Sequence, residues 1–119
     1  MKWRRRRRPA IVVAATANQE VLRYLWARPG LCIREARTAD GLYRLLEDAQ
    51  LVILDAADLG EASLDLAYVL DVLARARVPQ VAPATFLKDP ERWLQEGQAF
   101  AGDVRSLPPR LITFPHSRR

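Results

Sequence analysis

The chain has 119 residues, half of them apolar, with three Trp and a single Cys; that is enough for one domain with a real core and excludes a disordered chain. One cysteine, Cys32, leaves no internal disulfide and no cysteine cluster for zinc, so no metal or cofactor is expected. No apolar run reaches the ~20 residues of a membrane span and the basic start lacks the apolar stretch of a secretory signal, so a cytoplasmic location is expected, and the formal charge of +5 sits mostly at the ends.

The elements read as follows. Residues 10–15 (AIVVAA) form a buried strand. Thr16, with Gln19 three residues on, has the pattern of a capping box opening a helix to about Arg28, with Val21, Leu22, Leu25 and Trp26 on one face. Pro29-Gly30 ends it. Residues 31–36 alternate Leu31, Ile33, Glu35 against Cys32, Arg34, Ala36, as an edge strand does. Asp40 is placed to cap a short helix carrying Leu42, Tyr43, Leu45 and Leu46. Residues 50–55 form a third strand, central because both its faces are apolar. Ser63 is placed to cap a third helix to Arg77 through the stripe Leu66, Ala67, Leu70, Leu73, Ala74. Val78-Pro79 ends it, and residues 80–84 make a fourth strand. Asp89-Pro90-Glu91 is a strong helix start, for a helix ending by Gly102. After Pro108-Pro109, residues 110–114 read as a fifth strand with no helix after it. Regular alternation of strand and helix implies a mostly parallel sheet covered on both faces. Residues 1–8 are expected to be a disordered basic tail before a single α/β domain over 9–119.

This order, the segment EARTADGLYRLLEDAQLVILD, Asp55 at the end of strand three and Val78-Pro79 before strand four resemble the receiver domain of bacterial response regulators over roughly residues 10–84. The resemblance implies a three-layer, flavodoxin-like sheet of order 2-1-3-4-5, here without its last helix. It also implies that Asp55 occupies the position of the phosphoryl-accepting aspartate. The chain departs from that family where the chemistry is done. Ala14-Ala15 stand where a receiver carries the acid pair that holds Mg²⁺. Ala84 stands where it carries a hydroxyl, with Thr85 one residue late. The lysine after strand five is missing, the only lysines being Lys2 and Lys88. One carboxylate cannot supply the protein's share of Mg²⁺ ligands, and phosphoryl transfer depends on such positioned charge. The resemblance thus implies a degenerate receiver that is not phosphorylated.

A second segment, LVILDAADLG followed by ASLDLAYVLDVLARARVPQVA, is similar to the strand-helix-strand of nucleoside deoxyribosyltransferases and deoxynucleotide N-hydrolases. There a helix Tyr-Glu-Leu-Gly supplies a nucleophilic glutamate. Here Tyr68-Val69-Leu70-Asp71 puts valine in its place. The glycine turn those enzymes carry after strand one is also missing, and only Asp71 is left to substitute.

From the residues alone, Asp55 and Asp58 lie outside the carboxyl ends of the strands, where open α/β sheets do their chemistry. They read either as a cation or base site or as a turn cap beside a solvated acid. Asp65 and Asp71 read as the wet face of the third helix. His116 is the one histidine, and Gly30, Gly41, Gly60, Gly97 and Gly102 form neither a phosphate loop nor a dinucleotide fingerprint. Cys32 reads as a small apolar filler.

The charge divides sharply. Lys2, Arg4, Arg5, Arg6, Arg7 and Arg8 are six cations without an acid, while residues 9–117 hold 11 basic against 14 acidic side chains. Such a tail suits nucleic-acid phosphates or anionic lipid headgroups, with Trp3 at the interface, or serves only as a solubilising arm. The missing last helix would leave Val12, Ile53 and Ile112 half covered, unless residues 103–109 and 115–119 fold back. Exposed apolar surface of that kind marks a partner site. The receiver likeness puts such a surface on the fourth-helix side, at Phe86, Trp93, Leu94 and Phe100. The sequence therefore predicts a non-catalytic regulatory or protein-interaction module that self-associates or docks through that side, anchored by its arginines. The alternatives are a nucleoside or nucleotide enzyme using Asp55, Asp58 or Asp71, and a small nucleic-acid-binding protein.

Overall fold

A computed structural model describes residues 10–60 and 65–100. The Val-rich run Ala10–Ala15 forms β1, with five of its six residues buried. β2 (Leu31–Glu35) pairs parallel to it from Ala10↔Leu31 to Ala14↔Glu35, and β3 (Leu51–Leu54) from Val12↔Leu51 to Ala15↔Leu54. β4 (Gln80–Val81) joins β3. The result is an α/β architecture with a parallel sheet of order β2-β1-β3-β4. Parallel neighbours require crossover connections, supplied here by helices α1 (Gln19–Ala27), α2 (Ala39–Leu45) and α3 (Leu66–Ala76). Two further helices, α4 (Pro83–Lys88) and α5 (Pro90–Phe100), follow β4.

Alternation along β1 sends successive residues to opposite faces and so builds two cores. Val13 and Ala15 join Val52, Leu42, Tyr43, Val69, Val72 and Leu73 on one face. Val12 and Ala14 join Ile53, Val21, Leu22, Leu25, Phe86 and Leu94 on the other. Val12 and Ile53 are therefore fully covered. The half-bare sheet face expected there is filled by Phe86 and Leu94, and Ile112 lies outside the described residues.

The first four strands and helices α1, α2, α3 and α5 start close to where the sequence placed them, whereas α4 was not expected, and the ends of several elements are set by other residues. Asn18, not Thr16, caps α1, its Oδ1 accepting from the Val21 amide. Thr38, not Asp40, caps α2 through the Gly41 amide. Asp65 caps α3 through the Ala67 amide; Ser63 lies outside the described residues. The fourth strand stops at Val81, because Pro83 opens α4 at the position where its missing N–H costs nothing. Residues 110–114, expected as a fifth strand, and the tail at 1–8 lie outside the described residues. α3 closes on Arg77 in the left-handed region, φ 63°.

α5 runs to the N-terminal end of the sheet. Gly97 packs there so closely that a Cβ would stand 3.1 Å from the Gln50 carbonyl and 3.2 Å from Leu51 Cβ. Glu91 ties its first turn to α1: Arg28 donates to both carboxylate oxygens at 2.7 and 2.8 Å, and the Tyr24 hydroxyl donates to one of them. The Arg28 hydrogen bonds, then that from Tyr24, hold the Glu91 carboxyl down at about 2.

Candidate functional site

The strand order turns at β1 and β3, where the chain passes to opposite sides, and the crevice at such a switch point is the usual ligand site of an open α/β sheet. Asp55 leaves β3 at that point, its amide donating to the Ala15 carbonyl at 3.0 Å. Its Oδ1 accepts from the Ala57 amide at 3.1 Å and caps the single 3₁₀ turn Ala56–Asp58. That turn aims Asp58 back at β1. Asp58 Oδ2 accepts from the Thr16 hydroxyl at 2.8 Å and from the Ala17 amide at 2.7 Å. Thr16 is completely buried, and its Oγ1 also accepts from the Asn18 amide at 3.0 Å.

Arg37 completes the network. Its guanidinium donates to the Thr16 carbonyl and, at 3.2 Å, to Glu35 Oε1. Its own carbonyl accepts from the Gly60 amide at 2.6 Å. The Ala17 amide, then the Thr16 hydroxyl and the nearby charge of Arg37 hold the Asp58 carboxyl below its ordinary range. The carboxylate that points into the crevice is thus engaged by the loop it faces.

The structure brings Asp55 and Asp58 into one turn, as the sequence indicated, and gives Asp55 the capping role. Asp65 is a helix cap. Asp71 is paired with Arg75 at 3.1 Å on the exposed side of α3, and Val69, at the position of the enzymes' glutamate, is buried in the core. The fully buried Ala14 and Ala15 line β1 where a receiver would carry acids. Ala84 and Thr85 lie on α4 rather than at a strand end, and Lys88 closes that helix. Among the described residues, no group of three or more His, Cys, Asp and Glu is placed to hold a metal ion.

The expected contact face is largely interior. Phe86, Leu94 and Phe100 are buried, because α4 and α5 fold onto the sheet in place of an outer helix. Trp93 alone of the four is half-buried, with the Arg92 guanidinium 5.3 Å from its ring centroid. The reverse correction applies to Trp26. It was grouped with Val21, Leu22 and Leu25 on one face of α1, yet unlike them it is 61% exposed, its Nε1 donating to Glu35 Oε2 at 3.2 Å. Lys2 and Arg4–Arg8 lie outside the described residues. Sequence reasoning missed Thr16 and Arg37 as site residues: their partners lie 42 and 21 positions away, and no local pattern signals such pairs.

Comparison with protein-family models, with curated proteins and with solved structures finds no match to this chain. Among the described residues, no helix is long and apolar enough to cross a membrane.

Proposed function

We propose that the chain is a non-catalytic, receiver-like module that works by binding a protein partner or a second copy of itself, with Lys2 and Arg4–Arg8 as an electrostatic anchor. The observation that carries this reading is the self-closure of the switch-point crevice. Asp58 bonds Thr16 and Ala17, Asp55 caps its own turn, and Arg37 bonds the Thr16 carbonyl. Phosphoryl transfer needs a carboxylate held beside a metal and other fixed charges, and here the facing β1 residues are alanines. The five-stranded, flavodoxin-like form belongs to the same proposal. β4 has one partner among the described residues, and α5 returns the chain to the N-terminal end of the sheet, where a parallel strand of residues 110–114 would have to start.

The test is intact-mass spectrometry after incubation with acetyl phosphate and Mg²⁺, alongside turnover and melting assays with deoxynucleosides. No phosphoryl adduct, no turnover and no shift in melting temperature are expected. An adduct at Asp55 that disappears in Asp55→Asn would overturn the reading. So would turnover lost in Asp71→Asn.

A further inference from the structure

We infer that β2 is a dimer interface, pairing antiparallel with β2 of a second copy of this chain about a two-fold axis at Ile33. Among the described residues, β2 has β1 as its one strand neighbour. The Ala36 amide donates to the Ala14 carbonyl at 3.1 Å, which fixes the parity of the strand. Cys32 and Arg34 turn their main-chain groups toward β1 in the same way, so the N–H and C=O of Leu31, Ile33 and Glu35 face outward. Such a row is a template for another strand. Its first part is apolar and half-buried, and Trp26, exposed on α1, stands on the same side of the sheet, bonded to Glu35.

The strand fits its own reverse. With Ile33 at the axis, the outward groups of Leu31, Ile33 and Glu35 meet those of Glu35, Ile33 and Leu31 of the second copy, and each finds a partner. Sliding the pair by two residues one way puts Pro29, which has no N–H, against Glu35. Sliding it the other way sets Arg34 against Arg34, like charge on like. The Ile33 register avoids both, and it is complementary in charge. Cys32 and Arg34 lie on the sheet face that α2 covers, and the turn after α2 carries Asp48. Within one chain the neighbouring Cys32 thiol, then the charge of Asp48, raise the Arg34 pKa. Across the axis, Arg34 of the second copy stands level with Cys32 and meets that same Asp48 carboxylate, and symmetry repeats the pair. On the other face, Trp26 of each copy, bonded to its own Glu35, is brought against Leu31 of its neighbour. One strand edge is a narrow interface, so the dimer belongs to the weak, transient class. The inference rests on the self-association in the reading above, yet a monomer would leave the acetyl phosphate outcome standing, so the two can fail separately.

The test is sedimentation equilibrium of the full chain, with a dimer expected at concentrations on the order of 100 μM. Asp48→Arg should weaken dimerisation roughly tenfold or more, by setting like charges together. Arg34→Asp added to Asp48→Arg should restore it, which a loss of folding would not allow. The register is read by mixing the wild type with Cys32→Ser/Arg34→Cys under a mild oxidant. The two thiols then stand directly opposite, with Cα atoms ~4.5 Å apart, and a mixed disulfide dimer should appear in the intact mass. Neither protein alone should link at that rate, because like positions lie roughly 7–8 Å apart across the axis. A monomer over the whole range would overturn the proposal, the edge then being bare or covered within the chain. A dimer that forms no mixed disulfide would overturn it in favour of another surface, such as that around Trp93.

Discussion

The two ends of the sheet are each fastened by one polar side chain, and the two fasteners differ in kind. At the N-terminal end Gln50, neutral and buried, joins β1 to α5. At the C-terminal end Asp58, charged and only half-buried, joins the turn after β3 to the loop after β1. An interior amide satisfies a donor and an acceptor at once without carrying charge out of water. A carboxylate is tolerable only where solvent still reaches it. The first joint should therefore hold at every pH, while the second depends on the ionisation of one group.

Gln50→Ala should have the largest effect. It removes the acceptor of the Ile11 amide and a donor to the Gly97 carbonyl in the interior and should cost about 3 kcal/mol in urea unfolding, with little dependence on pH. A loss under ~1 kcal/mol would mean that water replaces the amide, and the contrast between the two ends would fail. Gly97→Val comes next, at about 2 kcal/mol, because its side chain has to displace α5 from the Gln50 carbonyl and Leu51.

Thr16→Val, at the other end, should cost about 1 kcal/mol at neutral pH through the hydroxyl's lost hydrogen bonds. Its effect should also depend on pH. The folded-state pKa of Asp58 lies below its ordinary 3.8, so the stability it contributes is complete above that value and is lost as pH falls through the folded one. Thr16→Val raises that folded pKa, so the gap between variant and wild type should narrow in acid. A gap that stays constant down to pH ~2 would show that the joint does not rest on the ionised carboxylate. Trp26→Ala, exposed and outside both joints, should change stability by no more than about 0.5 kcal/mol in the same unfolding assay.

The strands were legible because β1 and β3 are apolar on both faces, a pattern that leaves little choice but a central parallel strand. The helix ends were less so. Several residues near each start can cap, and tertiary bonding chooses among them: the Thr16 hydroxyl goes to Asp58, so Asn18 takes the cap. The stretch after Val81 misled for a different reason. Ala84-Thr85-Phe86 suits a strand or a helix, and Pro83 decides for the helix. The aspartates of the site could be found from their place after an apolar run. Their use could not, since it is fixed by Thr16 and Arg37, remote in sequence. The burial of Phe86, Leu94 and Phe100 was hidden for the same reason: nothing local indicates that α5 crosses to Gln50.

The Gln50 joint also bears on how this unit can be combined with others. A unit such as residues 10–100, whose first strand and last described helix meet at one side chain, can be spliced into a surface loop of another protein with little strain on either host or guest. Residues 10–100 can equally be circularly permuted: a short linker from residue 100 to residue 10 would leave every described strand and helix in place, and the chain could be reopened at the exposed Pro29-Gly30 turn.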